Sequence, residues 1–195
     1  MKKKIIFILC SLVIICSILP FAVSCDKAEE PITTYDISLE IQDDNVIICS
    51  QKVDIVNNYG VPLEELKFNV YANAFDKKKP LPCTQEEQGD FYPDGISYGE
   101  FSLKSVEGDI EKYDFDFDSN ILSVTPNCPI EIGGKTSVEI QYALTLPCTN
   151  GRYGFNEKGI SLTGFYPMLC AFADGDWYYD KYSPIGDPYI SDIAK

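Results

Sequence analysis

A strict two-residue alternation of apolar and polar side chains constrains this chain more than any other feature. Tyr35, Ile37, Leu39 and Ile41 fall on one face, and Asp36, Ser38, Glu40 and Gln42 on the other. Successive side chains of an extended backbone point to opposite sides, so this spacing predicts a half-buried strand. Asp43-Asp44-Asn45 reads as a turn, and residues 46–57 as a second long strand running into Asn57-Asn58-Tyr59-Gly60. The two form a hairpin. The alternation returns at Leu66, Phe68 and Val70, then over residues 98–106, 110–116 and 121–125. It is clearest at Val138, Ile140, Tyr142, Leu144 and Leu146, behind a turn at Glu131-Ile132-Gly133-Gly134-Lys135. No window carries a helical period. Many short strands, together with 13 tyrosines and 11 phenylalanines, predict an all-β chain, an antiparallel sandwich or saddle without internal repeats.

The first segment reads as an address. Met1 and three lysines precede an apolar run over residues 5–18, the length of a signal-peptide core and too short for a comfortable membrane span. Ala22-Val23-Ser24-Cys25 resembles the bacterial lipoprotein cleavage box, with Ala22 where that box more often has leucine. Cleavage after Ser24 would leave Cys25 as a lipidated N-terminus. Several acyl chains, each methylene adding about 0.8 kcal/mol of burial, hold a protein at a bilayer far better than one. An ordinary secretory signal with an incidental cysteine is the alternative, and either places the protein outside the cytoplasm. The expected organisation is a signal peptide over 1–24, a polar tether over 25–32 and one β-domain over 33–195. A single arginine, Arg152, among 16 basic residues suggests an AT-rich genome and a Gram-positive source.

Charge and cysteine content narrow the partners. The formal net charge of -14 becomes -17 once the three signal lysines leave. Such a surface repels phosphate backbones and anionic headgroups, which argues against nucleic acid and against lipid binding by the domain itself. Of eight cysteines, Cys10 and Cys16 leave with the signal and Cys25 takes lipid. Cys49, Cys83, Cys128, Cys148 and Cys170 remain, without the close spacing of a zinc or redox motif. Two readings stay open: free thiols, or a disulfide such as Cys128 with Cys148 in an oxidising exterior.

The chain contains no histidine. Ser161, Ser183 and the cysteines therefore lack an imidazole base, and a Ser/His or Cys/His nucleophile is excluded. Asp114, Asp116, Asp118 and Asn120 imitate the alternate-oxygen spacing of a calcium loop. Tyr113, Phe115 and Phe117 interleave with them, which equally fits a strand with acids outward. Trp177, Tyr178, Tyr179, Tyr182 and Tyr189 form an aromatic cluster near the C-terminus. Exposed, such rings stack on sugars or peptides; covered, they pack against another domain.

Several phrases in order carry a family likeness. Tyr-Asp-Ile-Ser-Leu-Glu-Ile at 35–41 is followed by Asn57-Asn58 and by Leu-Glu-Glu-Leu-Lys-Phe-Asn-Val-Tyr-Ala-Asn-Ala-Phe at 63–75. Asn-Gly-Arg-Tyr-Gly at 150–154, Gly-Phe-Tyr-Pro-Met-Leu at 164–169, Asp176-Trp177 and Gly-Asp-Pro-Tyr at 186–189 come next. The set, over residues 34–194, resembles the N-terminal β-domain of the aminopeptidase N family of gluzincin zinc metallopeptidases, above all its bacterial lipoprotein members. That family holds zinc with a His-Glu-x-x-His helix, which a histidine-free chain cannot build. The resemblance thus implies a non-catalytic domain with no cofactor of its own, either a truncated gene product or one piece of a split gene whose catalytic domain is encoded separately. The family's β-domain often lends an acidic or amide residue that grips a substrate's N-terminus, and none is assigned to that role here. The expected partners are the lipid membrane, through acylated Cys25, and that catalytic domain. The rival expectations are a free-standing surface module that binds glycan or peptide through the C-terminal aromatics, and a structural lipoprotein without a ligand.

Overall fold

The computed structural model describes residues 31–179 together with Tyr182 and Ala194. The signal peptide, Cys25, most of the tether and Tyr189 lie outside these residues. Within them the chain is all-β and its sheets are antiparallel. β1 (Thr34–Ile41) and β2 (Val46–Val56) form the expected hairpin, with Thr34 opposite Asp54 and Ile41 opposite Ile47. Its connection is a single 3-10 turn in which Asp44 and Asn45 adopt φ of 60° and 59°. Short Asp and Asn side chains tolerate that left-handed region.

β3 (Leu66–Asn69) follows, then β4 (Glu100–Gly108), β5 (Ile110–Asp116), β6 (Ile121–Pro126) and β7 (Lys135–Thr145). Five short strands complete the set: β8 (Tyr153–Asn156), β9 (Gly159–Leu162), β10 (Met168–Leu169), β11 (Ala171–Ala173) and β12 (Asp176–Tyr178). One sheet runs β1-β2-β7-β4 and a second β10-β3-β6-β5, while β8-β9 and β11-β12 are separate hairpins. The sole α-helix among the described residues is one turn, α1 (Gln88–Phe91). No helix of the described residues is long and apolar enough to cross a membrane.

The two four-stranded sheets share one apolar core. Ile47, Val53, Ile55, Val138, Ile140, Tyr142 and Leu144 come from the first, and Leu66, Phe68, Leu122 and Val124 from the second. Phe101 on β4 meets Phe115 on β5 with ring centroids 5.6 Å apart, which ties the sheets at that side. β2 and β7 sit side by side in the middle of their sheet, so their inward residues are enclosed on all flanks. At the end of β4 the fold requires glycine: Gly108 has φ of 133°, and a Cβ there would sit 2.4 Å from the Ser137 carbonyl oxygen.

Buried polar side chains fix the loops onto this frame. Asn57, fully buried at the end of β2, donates from Nδ2 to the carbonyls of Val61 and Ile130, each at 2.7 Å. Its Oδ1 accepts from the Tyr59 amide at 3.1 Å. Gln51, inward on β2 among apolar neighbours, donates to the Pro167 carbonyl at 2.8 Å. A buried amide without such partners would cost about 1–3 kcal/mol, so these bonds decide where the connecting segments lie.

Two expectations need correction. The third strand ends at Asn69 rather than continuing through Val70, because Val70 turns to φ of -115° and ψ of 71° and opens a buried 3-10 turn over Tyr71–Phe75. Cys128 and Cys148 are not joined; all five described cysteines are free thiols. The reason is geometric. These two residues flank opposite ends of β7, an 11-residue strand about 37 Å long, whereas a disulfide needs Cα atoms within about 7 Å.

Candidate functional site

The C-terminal aromatics were the strongest sequence candidate for a contact surface, and the fold divides them. β11 and β12 form a tight hairpin with Phe172 opposite Trp177. Asp174 and Gly175 occupy its turn with φ of 52° and 83°, the signature of an Asp-Gly two-residue connection. Alternation along so short a strand then sends Trp177 inward and Tyr178 outward.

Trp177 is 8% exposed. Its ring meets Phe172 at 5.0 Å and Tyr59 at 6.0 Å, both edge-on, and its Nε1 donates to the Glu65 carbonyl at 3.0 Å. Tyr182 packs against Phe75 and Tyr71, at centroid distances of 5.4 and 6.3 Å. Trp177 is thus not an exposed ring: it is buried against Phe172 and Tyr59, and its indole N–H is bonded within the domain. Tyr178 and Tyr179 do face solvent. The Tyr178 hydroxyl donates to Asp174 Oδ2 at 3.2 Å, and that bond holds the phenol above its ordinary pKa. The Lys67 ammonium lies 5.3 Å from the Tyr179 ring centroid. Cys25 and Tyr189, the other residues singled out from the sequence, lie outside the described residues.

The acidic run on β5 makes a turn. Asp116 accepts from the Asp118 amide at 2.9 Å, from the Ser119 amide at 3.3 Å and from the Ser119 hydroxyl at 2.7 Å. The Ser119 hydroxyl, then the two amides, lower its carboxyl pKa. Asn120 has φ of 63° and turns inward, accepting from Asn73 Nδ2 at 2.8 Å. Its oxygen is thus engaged by Asn73, and among the described residues no three acids or thiols gather as a metal site.

Beside this turn lies a cleft of about 220 Å³, lined by Lys79, Pro80, Pro82, Asp118, Asn120 and Tyr182 among others. Lys79 donates to the carbonyls of Phe117 and Asp118 and holds its ammonium over the Phe117 ring. The ammonium is thereby tied to the turn rather than aimed at an anion.

The thiols divide by burial. Cys49 sits opposite Tyr142 in the core, and desolvation pushes its pKa up to about 11. Cys170 is likewise pushed up to about 12 by burial. Neither offers a thiolate near neutral pH, so both act as small apolar side chains. Cys128 is exposed in the β6–β7 connection.

One surface was not foreseen. On β1, Leu39 and Ile41 share the inward register of Cys49 and Ile47, yet they are 43% and 56% exposed. The apolar face of the sheet thus runs past the edge of the core at this end of the hairpin. Comparison with known proteins returns no matching family model, no matching curated protein and no matching solved structure.

Proposed function

We propose that this chain is an extracytoplasmic lipoprotein, anchored to the cell membrane through acylated Cys25. Its β-domain acts as the non-catalytic N-terminal part of an aminopeptidase-N-like metallopeptidase. Its task is to tether and orient a zinc-bearing domain and to wall one side of a peptide-binding cleft. The observation that carries the reading is the lack of any imidazole in a chain whose ordered phrases resemble that family's front domain. Catalysis in the family depends on two histidines at zinc. An all-β antiparallel domain with a shared core between two sheets is compatible with a supporting role.

Among the described residues, the rival reading, a free-standing glycan or peptide module, keeps Tyr178 and Tyr179 as exposed rings, while Trp177 is buried in the core. Two stacked-upon tyrosines without the tryptophan make a weaker platform, and the first reading is preferred. Its test is direct. The purified full chain should release no product from aminoacyl-anilides, and incorporation of a palmitate analogue in cells should vanish in Cys25→Ser. Chelator-sensitive turnover by the purified chain, or undiminished labelling of that variant, would overturn the proposal.

A further inference from the structure

The cleft beside the β5–β6 turn is built from stiff parts. Pro80, Leu81 and Pro82 form one part of its lining and Tyr182 another. A proline ring fixes its own backbone angle, so such a wall gives up little freedom when a ligand settles against it. Tyr182 is backed by Phe75 and Tyr71, and Lys79 ties the chain before Pro80 to the carbonyls of Phe117 and Asp118. The volume of about 220 Å³ lies below the range of about 300–1,000 Å³ usual for drug-sized ligands. The fitting occupant is small.

One lining residue is polar, enclosed and incompletely used. Asn120 lines the cleft although it is only 8% exposed. Its backbone carbonyl accepts from the Val70 amide at 2.8 Å, and its Oδ1 accepts from Asn73 Nδ2 at the same distance. These bonds fix the plane of the side-chain amide. Its donor end, Nδ2, has no partner among the described residues and is not sealed from solvent. A ligand that displaced water from this donor without replacing it would lose about 1–3 kcal/mol, so the ligand must bring an oxygen acceptor.

The remaining lining sets the sign of the charge. Asp118 is exposed, and its carboxylate accepts no bond among the described residues. It favours hydroxyl donors and repels anions, as does a chain of net charge -14. The Lys79 ammonium does not reverse this, because two carbonyls and the Phe117 ring already engage it.

We propose that this cleft binds a single neutral pyranose ring. The apolar C–H face of the sugar lies against Tyr182 and the prolines, since the flat faces of such rings suit apolar groups. Asn120 Nδ2 donates to one sugar oxygen, and Asp118 accepts from a hydroxyl. A purely apolar molecule would leave Asn120 unpaired, and an acidic sugar would meet Asp118. The site is separate from the outward rings of Tyr178 and Tyr179, and it stands whether or not the domain serves a peptidase.

The test titrates the full chain in phosphatidylcholine nanodiscs with the methyl pyranosides of glucose, galactose and mannose, using saturation-transfer NMR and empty nanodiscs as blank. At least one should bind, with its ring C–H protons receiving most of the transfer. The free sugars run alongside: equal binding assigns the terminal ring of a glycan, and binding of the free sugars alone assigns a monosaccharide. Cyclohexanol, which has the ring without the hydroxyl array, and methyl glucuronide, which adds an anion, should bind at least tenfold more weakly. Asn120→Asp keeps the oxygen that Asn73 requires and removes the donor, so it should weaken binding at least tenfold. Leu81→Trp, which fills the cleft from its wall, should do the same, whereas Tyr178→Ala should change nothing. No binding by any of these sugars, equal binding by cyclohexanol or the glucuronide, or full affinity in Asn120→Asp would overturn the proposal. So would loss of binding in Tyr178→Ala. The comparison among probes reads on the unmodified chain, so the test survives if a variant misfolds.

Discussion

β1 and β2 are written in the same alternating pattern and lie side by side, yet they live in different surroundings. Ile47 on β2 is fully buried, while Ile41, directly opposite on β1, is 56% exposed. The difference lies in neighbours. β2 has β1 on one flank and β7 on the other and faces the second sheet, whereas β1 has a single flank. Alternation therefore reports which face of a strand is meant for burial and leaves open whether anything covers it. β12 repeats the contrast within adjacent residues, with Trp177 enclosed and Tyr178 open.

The largest expected effect sharpens that second pair. Trp177→Ala should destabilise the fold by about 3–5 kcal/mol, as removal of a buried large aromatic does, while Tyr178→Ala should stay within about 0.5 kcal/mol. Urea unfolding of both variants measures the gap, and near-equal costs would mean that the indole is not core. Next comes the cross-strand pair itself. Ile47→Ala should cost about 2–5 kcal/mol and Ile41→Ala under about 1 kcal/mol, since little area leaves water at an open site. If Ile41→Ala proved as costly as Ile47→Ala, something in solution would be covering the β1 edge.

A smaller effect tests the polar member of the inward face. Gln51→Leu removes the bond to Pro167 and strands that carbonyl, for a loss of about 1–3 kcal/mol. Substituting its β1 partner, Ile37→Val, should cost less. The smallest effect is in pH. Cys49 is held protonated, its pKa raised from 9.0 to about 11 by burial. The unfolded thiol ionises first, so the Cys49 contribution is whole below pH 9 and is lost as pH rises toward 11. Denaturation at pH 7 and pH 10 should reveal the decline, and Cys49→Ala should flatten it. An unchanged slope in that variant would assign the decline to another group, Cys170 being the next candidate.

Much of this was legible beforehand, for a stated reason. The longer strands reveal themselves because each exposes one face and hides the other, and the hairpin at Asp43-Asp44-Asn45 follows from residues that tolerate left-handed backbone. β8 to β12 are two to four residues long, too short for any period to register. Sheet order was hidden as well, because β2 pairs with β7 across the whole of β3 to β6. Gln51 could have been found: it is the one polar residue in the inward series Ile47, Cys49, Gln51, Val53 and Ile55. The aromatic cluster misled because adjacency in sequence on a strand means opposite faces, so Trp177 and Tyr178 could never have formed one flat patch. The open β1 edge was not readable, since it depends on which strand takes the outside position.

The pairing of β2 with β7 has a consequence in time. Val46 meets Thr145 and Val56 meets Lys135, so the central seam of the first sheet joins segments far apart in the chain, with all of β3 to β6 between them. During synthesis the β1–β2 ribbon emerges long before its second neighbour exists, with its greasy side unsheltered. Closing so wide a loop is slow, and for that interval the nascent ribbon is at its most vulnerable to sticking to another copy of itself. A holding chaperone would matter most between the appearance of Val56 and that of Thr145.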